Sequence, residues 1–431
     1  MHRNPAPLVL SILLFSFLFH NTLFAQDEVQ WLKGQVNILA GPDMAGRGYV
    51  DDGGEKAAVY INAEFDKSGL RSFDNSKDHY QPYTFPVNTF PGALSLKLNH
   101  KTLEPGKDFM VHGASHGIVV DNKRVTTINL SIIKDSLTWD SVKNGFTADG
   151  VYLLNNVDRL MQVRKLSLRT LAREFTHGVY IVPMPKKLSW LVTTDTVGAT
   201  LIYVADSVMP RKVKRMSAVI ETKFIPVFPT QNVVGFVPGT EKSDSFIVFT
   251  AHYDHLGKMG ALTVFPGAND NASGTSMLLY FAKYYAAHPQ KYSMAFMAFS
   301  GEEAGLVGSS YYADYPLFPL QQIRFVLNMD MMGDATKGIT VVNAPANPVE
   351  FALLDSINTR NNYLPAVIKR DQTRNSDHYS FSQKGVNAVF IYTNGIKPYY
   401  HDIKDKPEEV NFENGAGVIK LLEDFVTQLQ R

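Results

Sequence analysis

Residues 246–255 read FIVFTAHYDH, an unbroken run of apolar, aromatic and β-branched side chains that ends in His252, Asp254 and His255. A run this short and apolar fits a strand buried on both faces, as in a parallel sheet, better than a half-exposed antiparallel one. Four further segments end in metal-capable side chains: GANDNASG (267–274), MAFMAFSGEE (294–303), RFVLNMDMMG (324–333) and YYHDIKDKPE (399–408). Strands are expected at Phe246–Thr250, Ser293–Phe299, Phe325–Met329 and Ala388–Tyr392. Helices are expected at Ser273–Ala287 and about Gly417–Leu429, where apolar residues recur at helical spacing. Strands alternating with helices predict an α/β fold: a mostly parallel twisted sheet flanked by helices.

Upstream, Val29, Leu32, Val36 and Leu39 mark a helix that stops at Gly41-Pro42. Ala58, Ile61 and Phe65 mark a second, with Gly69 as its left-handed cap. From about Tyr80 to Phe228 short β-type runs (Leu94–Leu98, Thr126–Ile133, Val179–Val182, Ala199–Val204) are interrupted by one basic helical stretch, Asp158–Phe175. This region is expected to be a mostly β inserted domain. The chain thus divides into a signal peptide (1–25), an N-terminal part of the core (26–90), the insert (91–228) and the core proper (229–431). The signal peptide is read from the apolar run Leu8–Phe19 and the small Ala25 before polar Gln26-Asp27-Glu28, and it implies a periplasmic or secreted protein.

The composition narrows the chemistry. Lys+Arg 42 against Asp+Glu 41 gives a net charge of +1, with no basic stripe, so no nucleic-acid partner is expected; nor is a membrane one once the signal is removed. With no cysteine, thiolate metal sites and thiol nucleophiles are excluded. Any metal is held by nitrogen and oxygen, a donor set that suits zinc, with manganese or cobalt open on ligand type alone.

In open α/β sheets, sites form beyond the carboxyl ends of strands. His252, Asp254, Glu302, Glu303, Asp330 and His401 all follow expected strands, and Asp270 opens a helix. Burying Glu302 and Glu303 together without a counter-charge is costly, and a divalent cation would offset it. Two metals would be served if Asp270 bridges them, leaving one Glu over to act on water. Spacing does not say which.

These five segments, with the AGRG loop (45–48) and SDHYSF (376–381), resemble the co-catalytic di-zinc exopeptidase family that includes bacterial leucyl-type aminopeptidases, glutamate carboxypeptidase and glutaminyl cyclase. The resemblance covers about residues 28–80 and 229–431. It implies two zinc ions per chain, one held by His252, Asp270 and Asp330 and the other by Asp270, Glu303 and His401. It further implies Glu302 as general base and acid, Asp254 as the residue that orients the His252 ring, Tyr400 as an oxyanion partner, and a cis peptide at Asp270-Asn271. Asp377 and His378 match a pair near the family's substrate cleft, without a ligand role. His112, His116 and His255 receive no role. The implied reaction is hydrolysis of an N-terminal peptide bond in a peptide or dipeptide substrate. A glutaminyl cyclase-like acyltransferase acting on N-terminal Gln is the second expectation, although that branch usually has Trp where this chain has Tyr400. A carboxypeptidase lacks an obvious basic cluster for the substrate carboxylate, and a binding protein without catalysis would ordinarily have lost ligands. The insert falls where relatives carry a protease-associated domain.

Overall fold

The computed structural model describes residues 27–73, 78–395 and 399–431; the signal-peptide expectation lies outside them. Eight strands form the main sheet: β1 (Tyr80–Thr89), β2 (Lys223–Val237), β3 (Lys242–His252), β4 (Tyr292–Phe299), β5 (Ile323–Met329), β6 (Ile339–Val342), β7 (Val367–Arg370) and β8 (Ala388–Thr393). Their spatial order is β1-β2-β4-β3-β5-β8-β6-β7. The central four, β4-β3-β5-β8, are parallel, paired through Val248↔Ala295, Val248↔Val326 and Leu327↔Val389. β6 and β7 run parallel to each other but against β8.

The alternation along β3 explains the burial of this sheet on both faces. Ile247, Phe249 and Ala251 join a core with the helices Gly53–Ser68, Gly274–Ala287 and Gly415–Leu429. Phe246 and Val248 face the other way, into a core with Tyr312, Phe318 and Phe381. With the period of two, both sides of a continuous apolar run are covered. The helix Gly53–Ser68 ends at Gly69 in the left-handed conformation, as its sequence predicts.

The insert is rich in strands, as expected, and adds short helices between them. It holds a five-stranded sheet in which Thr126–Asn129, Val151–Asn155, Val179–Met184 and Thr200–Ala205 are parallel neighbours, joined through the helices Ser136–Lys143, Val157–Arg164 and Leu168–Leu171. A separate antiparallel sheet contains Leu94–Leu98, Lys101–Leu103, Ile118–Arg124 and Arg215–Ile220. The helices have at most eight residues, too few for a strong periodic signal, and the predicted stretch 158–175 is broken where Lys165 turns left-handed. The boundary expected at 228/229 falls inside β2. That strand pairs with β1 from Tyr80↔Val233 out to Thr89↔Lys223, a ribbon continuous from core to insert. Pro226 and Pro229 disguise it, since proline within a run normally argues against a paired strand.

Candidate metal centre

The carboxyl ends of the central strands place the predicted residues side by side. His252 is the last residue of β3, Glu302 and Glu303 follow β4, and Asp330 follows β5. Asp270 lies in the turn Ala268–Ser273 that opens the helix Gly274–Ala287, and its peptide bond to Asn271 is cis. His401 comes after β8. Asp270 stands between the two imidazoles: its Oδ1 is 3.4 Å from His252 Nε2 and its Oδ2 is 3.4 Å from His401 Nε2. Asp330 Oδ1 is also 3.4 Å from His252 Nε2, and Glu303 Oε2 is 3.0 Å from His401 Nε2.

Hydrogen bonds behind the rings fix which nitrogen faces the carboxylates. His252 Nδ1 lies 3.1 Å from the main-chain oxygen of Asp254, and His401 Nδ1 lies 2.8 Å from that of Trp190. A carbonyl can only accept, so Nδ1 carries a proton in both rings and Nε2 points into the cluster. A bare lone pair facing a carboxylate oxygen is repulsive unless a proton or a metal cation lies between them. Burial disfavours charge on both rings, yet the surrounding carboxylates push His252 and His401 well above the usual imidazole value. Burial likewise opposes ionisation of Asp270, but the two imidazoles that face it outweigh this and hold it well below the usual range.

The donors fit zinc. Two ligands bound tetrahedrally at about 2.0–2.1 Å lie roughly 3.3–3.4 Å apart, close to the nitrogen–oxygen spacings around Asp270. Asp270 Oδ2, Glu303 Oε1 and Asp330 Oδ1 are buried with no hydrogen-bond partner, so each has an unused lone pair to offer.

A polar scaffold holds these groups in place. Thr250, Asn328 and Ser376 form a relay that ends in Ser376 Oγ donating to Asp330 Oδ2 at 2.8 Å. Asp254, expected to orient the His252 ring, meets it through its main-chain oxygen at 3.1 Å, with its carboxylate Oδ1 3.7 Å from Nδ1. The carboxylate accepts from Glu302 N at 3.1 Å, Glu303 N at 3.3 Å and Tyr49 Oη at 2.7 Å, clamping the Glu-Glu turn. Asp405 does the same for the turn carrying Asp270, accepting from Asn269 N at 2.8 Å and Asp270 N at 3.0 Å. Burial raises Asp405 to about 6. It raises Glu302 well above the ordinary carboxylate value, and the carboxylates of Glu303, Asp377 and Asp330 add to the shift against His252. Asp377 is fully buried and pushed by burial to about 7. Tyr400 is half exposed, its ring stacked 3.8 Å from that of His401.

Three further residues were not assigned from the sequence. Asp405 lies four positions after His401, inside a quoted segment. Arg47, in the AGRG loop, is fully buried and donates to the carbonyls of Tyr253, Leu39, Pro266 and Gly267 at 2.6–2.9 Å. It thereby ties the segments carrying His252 and Asp270 to the N-terminal helices. His255 is also fully buried, with Nδ1 2.7 Å from Glu303 Oε1. The insert touches the centre too: Lys187 Nζ donates to Tyr400 O at 2.7 Å, and Arg169 Nη2 to Glu303 O at 3.4 Å.

An open α/β sheet with buried imidazoles and carboxylates at its carboxyl rim is an arrangement suited to holding a metal ion. In comparison with known families, residues 232–425 match the model described as Peptidase family M28. The aminopeptidase YwaD of Bacillus subtilis (strain 168) is 28% identical over 242 residues, 54% of this chain and 51% of that protein. Leucine aminopeptidase 1 of Trichophyton rubrum is 26% identical over 225 residues, 47% of this chain and 59% of that protein. The chain therefore spans a little over half the length of these relatives. Among solved structures, the aminopeptidase from Aneurinibacillus sp. strain AM-1 superposes with a TM-score of 0.66 at 17% identity, covering 94% of both chains. A zinc aminopeptidase from Bacillus subtilis gives 0.64 at 18%, covering 93% of this chain and 94% of that one. At these identities the likeness is one of fold.

Proposed function

We propose that this protein is an exported two-zinc aminopeptidase that hydrolyses N-terminal peptide bonds. The observation that carries this reading is the Asp270 carboxylate, whose two oxygens each face a different imidazole at 3.4 Å. One zinc would be held by His252, Asp270 and Asp330, the other by Asp270, Glu303 and His401. When bound, such ions polarise a carbonyl oxygen and lower the pKa of water to roughly 7. Glu302 is the acid left over. Its raised proton affinity suits a group that takes a proton from water and delivers it to the leaving amine. Asp254 serves that step by holding the main-chain nitrogens of Glu302 and Glu303. Export rests on the apolar N-terminal run alone.

The test is Glu302→Gln assayed on aminoacyl-nitroanilides together with metal analysis. Turnover is expected to fall by about 10²–10⁴-fold with two zinc ions retained. Parental rates in the variant, or purified protein without zinc, would overturn the reading. Ammonia release from an N-terminal glutaminyl peptide, without hydrolysis of free-amine substrates, would turn it to a cyclase.

A further inference from the structure

His255 is an unexplained buried polar side chain. Its ring is fully buried, and neither Nδ1 nor Nε2 has a hydrogen-bond partner. An imidazole so placed forfeits the solvation of both nitrogens, a cost that native interiors seldom leave uncompensated. The ring is held in place from several sides. His255 N donates to Arg47 O at 3.2 Å, and the ring packs against Gly267, where an added Cβ would lie 2.4 Å from it.

The nearest polar atom is Glu303 Oε1, at 2.7 Å from Nδ1. That is a hydrogen-bond distance, yet Oε1 is itself without a hydrogen-bond partner, so the two atoms approach without sharing a proton in proper geometry. Asp270 Oδ2 is a third orphan. His255, Asp270 and Glu303 each offer a donor atom within 4.8 Å of the others, and the His401 ring centroid is 5.8 Å from that of His255. Two carboxylate oxygens and an imidazole nitrogen converging in burial without a well-formed hydrogen bond are an arrangement a cation resolves.

We propose that His255 is a fourth protein ligand at the zinc position formed by Asp270, Glu303 and His401. This rests on the two-zinc reading above. It makes the two positions unequal. The one at His255 has four protein donors, whereas His252, Asp270 and Asp330 supply three, so the first position binds zinc more tightly and fills first.

The experiment measures both zinc dissociation constants, by chelator competition, in the parent and in His255→Gln, with folding checked by circular dichroism. The tighter constant is expected to weaken by at least about 10- to 100-fold, the range lost on removing even an outer partner of a ligand, while the weaker one changes less. Two unchanged constants would overturn the role of His255 and leave the two-zinc reading standing. A parent that binds no zinc would overturn both. Should the variant fail to fold, zinc-edge X-ray absorption of the parent given one equivalent of zinc decides. Two imidazoles on that ion support the proposal, and one overturns it.

Discussion

Replacing Arg47 by alanine should be among the most damaging single changes in the chain, although Arg47 touches no predicted ligand side chain. Its guanidinium makes bonds of 2.7 Å to Tyr253 O, 2.7 Å to Leu39 O, 2.9 Å to Pro266 O and 2.6 Å to Gly267 O. Hydrogen bonds to charged groups contribute about 1.5–3 kcal/mol each, so losing all four sets an upper bound of about 6–12 kcal/mol. Water entering the vacated space would satisfy some of the carbonyls. We therefore expect a loss of about 4–6 kcal/mol, at the diagnostic end for a single substitution and a large part of a typical domain's stability. Arg47→Lys keeps the charge but replaces a planar fork by a point donor, and should lose about half as much. Urea unfolding followed by circular dichroism reads both values. Chelator competition reads the consequence for the centre, because the Tyr253 and Gly267 carbonyls lie beside His252 and just before Asp270. An alanine variant that loses less than about 1 kcal/mol and binds zinc as the parent does would refute this account of the buried cation.

Other changes test other parts of the molecule. Gly267 has φ +63° and an added Cβ would sit 2.3 Å from Asp270 O, so Gly267→Ala should displace the turn that carries Asp270 and lower zinc affinity, measured by the same competition. His112, in the insert, is pulled by burial down to about 4. An imidazole held neutral in the fold binds its proton more readily when unfolded. Its contribution is therefore full above about pH 6.5 and lost as pH falls to about 4, by roughly 3 kcal/mol. His112→Gln should flatten part of the fall in melting temperature across that window, with His378, also lowered to about 4, accounting for more of it. Lys187→Ala removes the 2.7 Å bond to Tyr400 O and the 3.5 Å ion pair with Asp402. Lys187 is about one-third exposed, so a modest loss of about 1 kcal/mol in the melting transition is expected.

Much of this architecture was legible because β3, β4, β5 and β8 are apolar on both faces, and so stand out as continuous runs whose polar ends must lie on one rim. β6 and β7 were missed because four residues carry too little pattern. β1 and β2 were missed because prolines punctuate them. At the centre, residue type and position after a strand singled out the candidate donors, but not the groups that hold them. Arg47 works through main-chain carbonyls that have no sequence signature. Asp254 was singled out as the partner of His252, but only coordinates reveal that it meets the ring through its main-chain oxygen and that its carboxylate also holds the nitrogens of Glu302 and Glu303. His255 looked ordinary because burial without partners cannot be read from a string.

His401 is steadied from the insert through the carbonyl of Trp190, and Trp190 N in turn meets His401 O at 3.3 Å. Every amino acid offers that carbonyl, and all but proline that nitrogen. The Trp190 side chain is bound separately, buried against Phe90 and Phe265 with its indole nitrogen donating to Val111 O at 2.8 Å. One residue of the insert therefore joins two jobs: its ring anchors the insert's core while its backbone braces the imidazole, so a change that shifts the ring is felt at His401.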